Sequence, residues 1–407
     1  MTDTLKPRDV KDVEDAVQWA LAQSKALEIV GGGSKRAIGR PAQTDLTLDL
    51  SGLSGVTLYE PEELVLSARA GTPLAEVEAL IAAKDQMLAF DPMDYGPLLG
   101  GPSGRATIGG VLAANLSGPR RLKAGAARDH FLGFSAVSGR GEIFKSGGRV
   151  VKNVTGYDLC KVMAGSWGTL AALAEVTIKV LPRPETEETV TVLGLDDRTA
   201  VTALSAAMGS AAEVSGAAHL PGKVAQQALA GADGTRAVTA LRLEGVPASI
   251  AHRRRVLEAV LKPFGTIAVL EAQQSRALWL KVRDVTPFAS GGTADTPVWR
   301  ISTAPAKGAE LGGMIAGAAD AALLYDWAGG LVWAALPASD DAGASLVRRA
   351  VAACGGHATL IRAPTAVRAA VAVFEPQEPA LAALTKRVKE SFDPNGVLNP
   401  GRMWAGI

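Results

Sequence analysis

At residues 28–33 the sequence reads EIVGGG, a short apolar strand pattern that ends in three consecutive glycines. The residues before it, RDVKDVEDAVQWALAQSKAL (8–27), set Val10, Val13, Val17, Ala20 and Leu21 at helical spacing. Helix, strand and glycine turn in that order commit the chain to an α/β beginning. Three residues without side chains expose successive backbone N–H groups, and Lys35 and Arg36 follow at once, which is how a loop cradles phosphate. A plain glycine turn shows the same letters. Two nucleotide loops are disfavoured: no Gly-Lys-Ser/Thr closes the run, and Arg36 stands where a dinucleotide fingerprint needs its last glycine.

Short β patterns follow at 45–50 and 63–71, then a helix from Pro73 to Lys84. The Gly- and Pro-rich loop FDPMDYGPLLGGPSGRA (90–106) is too long for a mere connector. TIGGVLAANLSG (107–118) reads as a helix with one face kept bare, open to a flat ligand or to close packing on a strand. HFLGFSAVSGRGEIFKSG (130–147) reads as a hairpin, and LAALAEVTIKVLP (170–182) as a buried strand. Between them, VVKNVTGYDLCKVMAGSWGTL (150–170) is crowded with small residues.

The composition shifts at PRPETEETVTVL (182–193), where a linker opens a second α+β region with a mainly antiparallel sheet. Its strands include TVTVLGL, TRAVTALRLEG, PVWRIST, GGLVWAALP and HATLIRA. The FEPQEP break then gives way to a helix, ALAALTKRVKESF, and the turn DPNGVLNPGRMWAGI. The boundaries expected are therefore 1–182, 183–376 and 377–407, in an α+β fold whose first part is α/β-like. No internal repeat is legible.

Composition removes several function classes. The 407 residues carry 42 basic and 41 acidic side chains, a net charge of +1 with few aromatics, so neither a charged field nor a stacking platform for nucleic acid exists. The two cysteines, Cys160 and Cys354, are far apart and form no metal or iron–sulfur motif. No metal site is expected. No apolar run is long enough to span a membrane. The expectation is a soluble, cytoplasmic protein that meets the inner face of the membrane only through a partner.

The order of these segments carries a resemblance. A glycine loop, Thr-Ile-Gly-Gly, Arg-Asp-x-x-Leu-Gly, Gly-x-Asp-Leu with Gly-Ser-x-Gly-Thr-Leu, and a closing Asp-Pro-x-Gly-x-Leu-Asn-Pro-Gly all occur in sequence. Together they resemble the flavoprotein family with the vanillyl-alcohol oxidase or p-cresol methylhydroxylase (PCMH) type of FAD domain, over roughly 8–182 and 377–407. The middle region matches only as the cap such proteins carry. Within the family the chain looks most like the FAD-binding subunits of bacterial glycolate oxidase (glycolate dehydrogenase) complexes.

The resemblance implies a fold of two α+β subdomains plus a cap, and non-covalent FAD, since no His or Cys stands in the glycine loop. It implies that Gly31, Gly32, Gly33, Ser34 and Lys35 hold the pyrophosphate. Thr107, Gly109 and Gly110 would line the ribityl and flavin side, flanked by Asn115 and Ser117. Gly156, Tyr157, Asp158, Leu159, Gly165, Gly168 and Val176 would close over the cofactor, and Asn399 and Arg402 would meet the flavin edge. It further implies an oxidoreductase acting on a small 2-hydroxy acid, glycolate to glyoxylate. The partners implied are a second, catalytic FAD-binding subunit and an iron–sulfur subunit.

Oxidising a 2-hydroxy acid needs a hydride acceptor, a base and a cationic grip on the carboxylate. Flavin is the first. Of the four histidines, His130 reads as structural, His252 as a helix face, and His219 as packing or as a group facing the flavin. No residue earns a catalytic assignment. The basic turn PRRLK (119–123) reads equally as a solvated loop or as a contact for FAD or a partner. Two rival readings stand beside the subunit: a self-sufficient FAD-dependent 2-hydroxy-acid dehydrogenase of the D-lactate type, and a flavin-binding scaffold without turnover.

Overall fold

The structure, a computed structural model, describes residues 3–41, 43–148, 156–289 and 296–407. It opens with a parallel three-stranded sheet, ordered β1–β3–β2, of β1 (Asp3–Leu5), β2 (Leu27–Val30) and β3 (Leu46–Asp49). β1 and β2, which flank β3 in parallel, are joined by the helix Val10–Ala22, because parallel strands of one sheet need a crossover. Asp9 caps that helix by accepting from the N–H groups of Lys11 and Asp12, and its spacing buries Val13, Val17 and Ala20.

A second sheet is antiparallel and five-stranded, ordered β4–β5–β9–β7–β8. It contains β4 (Val56–Glu60), β5 (Val65–Arg69), β7 (Phe131–Ser138), β8 (Ile143–Gly147) and β9 (Ala171–Lys179), with the two-residue pair β6 (Gln86–Met87) and β10 (Leu181–Pro182) beside it. The helix read over 107–118 is shorter than its letters suggest. It spans Ile108–Ala113 and cannot continue, because Asn115 adopts a left-handed φ of 50°. Thr107 caps its start by accepting from Gly110 N–H.

The last segment returns to the first sheet. Leu27 N–H donates to Val397 O at 2.7 Å and Asn399 N–H to Leu27 O at 2.9 Å, so the tail adds a parallel bridge beside β2. The preceding helix, Pro379–Phe392, is fixed by buried Lys389, which donates to Thr169 O, Leu398 O and Asp393. Asp393, the acid of DPNG, accepts from Val397 and Leu398 N–H, so that motif is a turn lock.

Residues 186–362 build one eight-stranded antiparallel sheet. Its strands are β11 (Thr186–Leu193), β12 (Gly216–Leu220), β13 (Val238–Gly245), β14 (Ile267–Leu270), β15 (Val298–Ser302), β16 (Ala322–Asp326), β17 (Leu331–Ala335) and β18 (His357–Arg362). The order β14–β11–β13–β12–β16–β17–β15–β18 is two βαββαβ units set edge to edge. The sequence showed no repeat; the structure is a duplication of topology, with helices Asp197–Met208 and Pro247–Leu261 in the first unit matched by Gly308–Ala316 and Ala344–Cys354 in the second. Helices cover one face. The other, with Ala218, Ala240, Leu324, Trp333 and Ile361, joins a core cluster that also contains Phe90, Tyr95, Ile108 and Phe131 of the N-terminal part.

Candidate functional site

A cavity opens where the end of β2 and its glycine loop face the helix Ile108–Ala113 and the start of β9. Gly31, Gly32, Gly33, Ser34, Lys35, Thr107, Gly109, Gly110, Gly168 and Arg402, all named from the sequence, come together in its lining. The glycines do not all serve the same end. A Cβ on Gly32 would stand 1.8 Å from Arg105 O and one on Gly109 2.6 Å from Ala70 Cβ, so these two permit close packing of the walls. Gly110 differs. Its missing Cβ would stand 3.5 Å from Lys35 Nζ, which leaves the space before the ammonium open.

Lys35 and Arg402 set the electrostatics. Among the described residues Lys35 donates only to Ser34 Oγ, 3.1 Å away, and burial together with the neighbouring Arg402 charge pushes its pKa down to about 8. Arg402 donates to Lys35 O at 3.0 Å and lies over the Trp167 ring, and burial first lowers its pKa, to about 10. Neither cation has an ion pair among the described residues. Asp94, the acid whose field reaches Lys35, is occupied by Gly96 and Gly104 N–H groups in the long loop. Arg36, counted with the loop's positive charge in the sequence, is neutralised by Glu28. Two partly desolvated cations and a glycine cradle without an acid fit a doubly charged pyrophosphate.

Other sequence-named residues lie outside this lining. Asn399 is fully buried behind it: its Oδ1 accepts from Ile29 N–H and its Nδ2 donates to Trp167 O, tying β2 to the Trp167–Gly168 turn. Asn115 accepts from Arg128 N–H, Ser117 from Ala127 N–H, and Gly165 packs near Asn115. Val176 is wholly buried in β9, paired with Ala68. Asp158 caps the short helix Leu159–Met163, while Gly156 is exposed and Tyr157 is 89% exposed, so this half of the segment lies outside the lining and only its end, Trp167 and Gly168, reaches the cavity among the described residues. The Asn-Val-Thr turn at 153–155 lies outside the described residues. Ala113 and Ala114, on the helix face read as open to a flat ligand, also line the cavity, whereas sequence reasoning missed Trp167, Ala171 and Leu173. Only Trp167, beside Gly-Thr-Leu, carried a signal that could have found it.

The remaining motifs resolve as structure. His219, wholly buried, lies on the helix-covered face of the eight-stranded sheet and bonds Thr239 and Asp197, away from the N-terminal part. His130 bonds Ala124 O, and His252 is exposed on its helix. The basic turn is no solvated loop: Arg120 pairs with Asp91 at 3.0 Å and Glu244 at 2.8 Å. Both cysteines are free and buried, and burial raises the Cys160 thiol to about 11. No group of three potential metal ligands gathers among the described residues.

Comparison with known proteins gives this geometry a lineage. A family model described as FAD binding domain matches residues 4–147, and one described as FAD linked oxidases, C-terminal domain, matches 371–403. Over 405 residues the chain is 34% identical to glycolate oxidase subunit GlcE of Escherichia coli, covering 97% of each. The chain belongs to the family of FAD-linked oxidases that includes GlcE. This FAD-linked oxidase also resembles glycolate oxidase subunit GlcD of Bacillus subtilis, at 30% identity over 153 residues, 38% of this chain and 31% of that one. Its fold is that of p-cresol methylhydroxylase, with a TM-score of 0.69 at 14% identity over 98% of this chain and 88% of that one. The mixed helix and antiparallel-sheet architecture expected of a PCMH-type flavoprotein is therefore the one observed.

Proposed function

We propose that this chain is the FAD-carrying, GlcE-type member of a glycolate-oxidising complex, and that its parts act as the FAD-binding region 1–182, the cap 183–376 and the returning segment 377–407. The observation that carries the reading is a glycine-walled cavity whose two cations make no ion pair among the described residues, in a chain matched end to end by a glycolate oxidase subunit. Gly31 to Lys35 and Arg402 would hold the pyrophosphate, and Thr107, Gly109, Gly110 and Gly168 would wall the cofactor. FAD, when bound, supplies the hydride-accepting ring. Binding is non-covalent in this reading, since no His, Cys or Tyr is among the described residues lining the cavity.

Electrons then have to leave through other chains, because Cys160 and Cys354 are isolated. A second flavoprotein subunit and an iron–sulfur subunit would receive them in the cytoplasm. No helix among the described residues is long and apolar enough to cross a membrane, so contact with the inner membrane face would run through those partners. The test is to purify the chain alone, record its flavin spectrum and add glycolate anaerobically, then repeat with the partner subunits. Retained flavin that bleaches only in the complex is expected; bleaching by the chain alone favours the self-sufficient dehydrogenase, and flavin that is retained but bleaches in neither favours the scaffold.

A further inference from the structure

The cap meets the N-terminal part through a second basic cluster, well separated in sequence from the glycine loop. Trp327, 6% exposed, packs against two guanidinium groups, with Arg121 Cζ 4.3 Å and Arg300 Cζ 4.9 Å from its ring. Arg121 comes from the short helix Arg121–Ala124 and Arg300 from β15. The indole N–H donates to Gly118 O at 3.1 Å, which pins the ring at the boundary.

Neither guanidinium makes an ion pair or a hydrogen bond among the described residues, and each raises the cost of charging the other. Most buried cations here are treated otherwise: Arg120 has Asp91 and Glu244, Arg283 has Asp284, and Arg362 has three carbonyls. A third donor stands nearby. Tyr95, 2% exposed and within electrostatic reach of Arg300, makes no hydrogen bond through its hydroxyl among the described residues. Asp326, the acid whose field reaches Arg300, is engaged by Trp327 N–H at 2.7 Å and forms no ion pair among the described residues. A pair of like charges and a phenol, all short of acceptors in a partly desolvated seam, is arranged for an anion that brings acceptor oxygens.

We propose that Arg121, Arg300 and Tyr95 form a binding site for a small monocarboxylate of the 2-hydroxy-acid class, with Trp327 as its rigid floor. This rests on the reading of the chain as a glycolate oxidase subunit and adds to it the cationic grip that the sequence did not disclose. Arginine suits the task because its planar fork presents two parallel N–H donors to a carboxylate. Tyr95 is left to meet a second oxygen.

The test uses the FAD-loaded chain, titrated with glycolate and, as the uncharged analogue, ethylene glycol, with tryptophan fluorescence and thermal unfolding as readouts. Glycolate is expected to change the fluorescence saturably and raise the Tm, ethylene glycol to do neither, and Trp327→Phe to abolish the optical signal. Arg300→Gln should weaken glycolate binding at least 10-fold yet raise the Tm of the ligand-free chain, since it removes one of two repelling charges. Arg300→Lys should recover part of the affinity. Tyr95→Phe, which removes an oxygen that bonds nothing, keeps the test informative if Arg300→Gln fails to fold. Equal glycolate affinity in wild type and Arg300→Gln overturns the proposal, as does a flavin-bearing wild type that binds no small carboxylate. Loss of flavin from the wild type, read separately by absorbance, counts against the functional reading instead.

Discussion

Lys35 shows how one side chain links sequence, electrostatics and ligand. Its place just after three glycines is plain in the sequence, but the counterpart that makes it a phosphate site, Arg402, arrives from 367 positions away and was placed by family resemblance. Trp167, which carries Arg402, was not foreseen, because its role depends on a turn held by Asn399. The depressed pKa has a sign that can be worked through. Below about pH 8 the ammonium is charged in folded and unfolded chain alike, so the cost of holding it unpaired is fully present in the empty protein. Between about 8 and its ordinary 10.5 the folded chain loses its proton first, and the empty protein gains stability as pH rises. A bound pyrophosphate favours the charged form. FAD affinity should therefore be greatest below pH 8 and weaken by up to about 10-fold per pH unit above it. Flavin fluorescence on release measures this, and Lys35→Met should lower affinity at pH 7 and flatten the slope; an unchanged slope in that variant would remove Lys35 from the site.

At the scale of elements, the duplicated sheet has one weak seam. Strands β12 and β16 share a single register pair, His219 opposite Tyr325, where other neighbours in the sheet share four to eight. Asp197, at the start of the helix Asp197–Met208, closes that seam by accepting from Tyr325 Oη at 2.5 Å and meeting His219 Nε2 at 3.2 Å. Burial works against its charge, but these two contacts win and hold its pKa below the usual carboxylate range. Asp197→Ala leaves two buried polar groups without a partner and should cost about 1–3 kcal/mol each. Urea unfolding would register it as a lower midpoint with an unchanged flavin spectrum, whereas a loss below about 0.5 kcal/mol would show that the ladder alone closes the seam. The duplication escaped the sequence for a physical reason: period-2 apolar patterns report that a strand is half-buried, not which strand it borders. Two strands went unnamed for want of that pattern: Gly216–Leu220, rich in small residues, and Ile267–Leu270, only four residues long.

For the whole molecule the question is whether the cap and the N-terminal part are separable. One apolar cluster runs through both, and a charged knot is set at its edge: Arg120 reaches Asp91 on one side and Glu244 on the other, while Arg242 lies 3.4 Å from Glu244. Burial alone would raise the pKa of Glu244, but the charges of Arg242 and Arg120 overcome it and hold the carboxyl at about 2. A depressed carboxylate contributes stability that is present above its unfolded pKa and is lost as pH falls through the folded value. The knot should thus hold at neutral pH and loosen between about 4.5 and 2. Arg120→Met removes the closer of two shared cations and leaves Asp91 and Glu244 to Arg242 alone, at 3.9 and 3.4 Å, with a destabilisation on the order of 1.5–3 kcal/mol for the charged hydrogen bonds lost. Wild type should melt in one calorimetric transition at neutral pH, and Arg120→Met in two, or in one displaced to lower temperature. Because unfolding of either part would open the shared apolar cluster, the variant should also release flavin more readily on heating. A single transition at the wild-type temperature with flavin retained would mean that apolar packing alone joins the two parts.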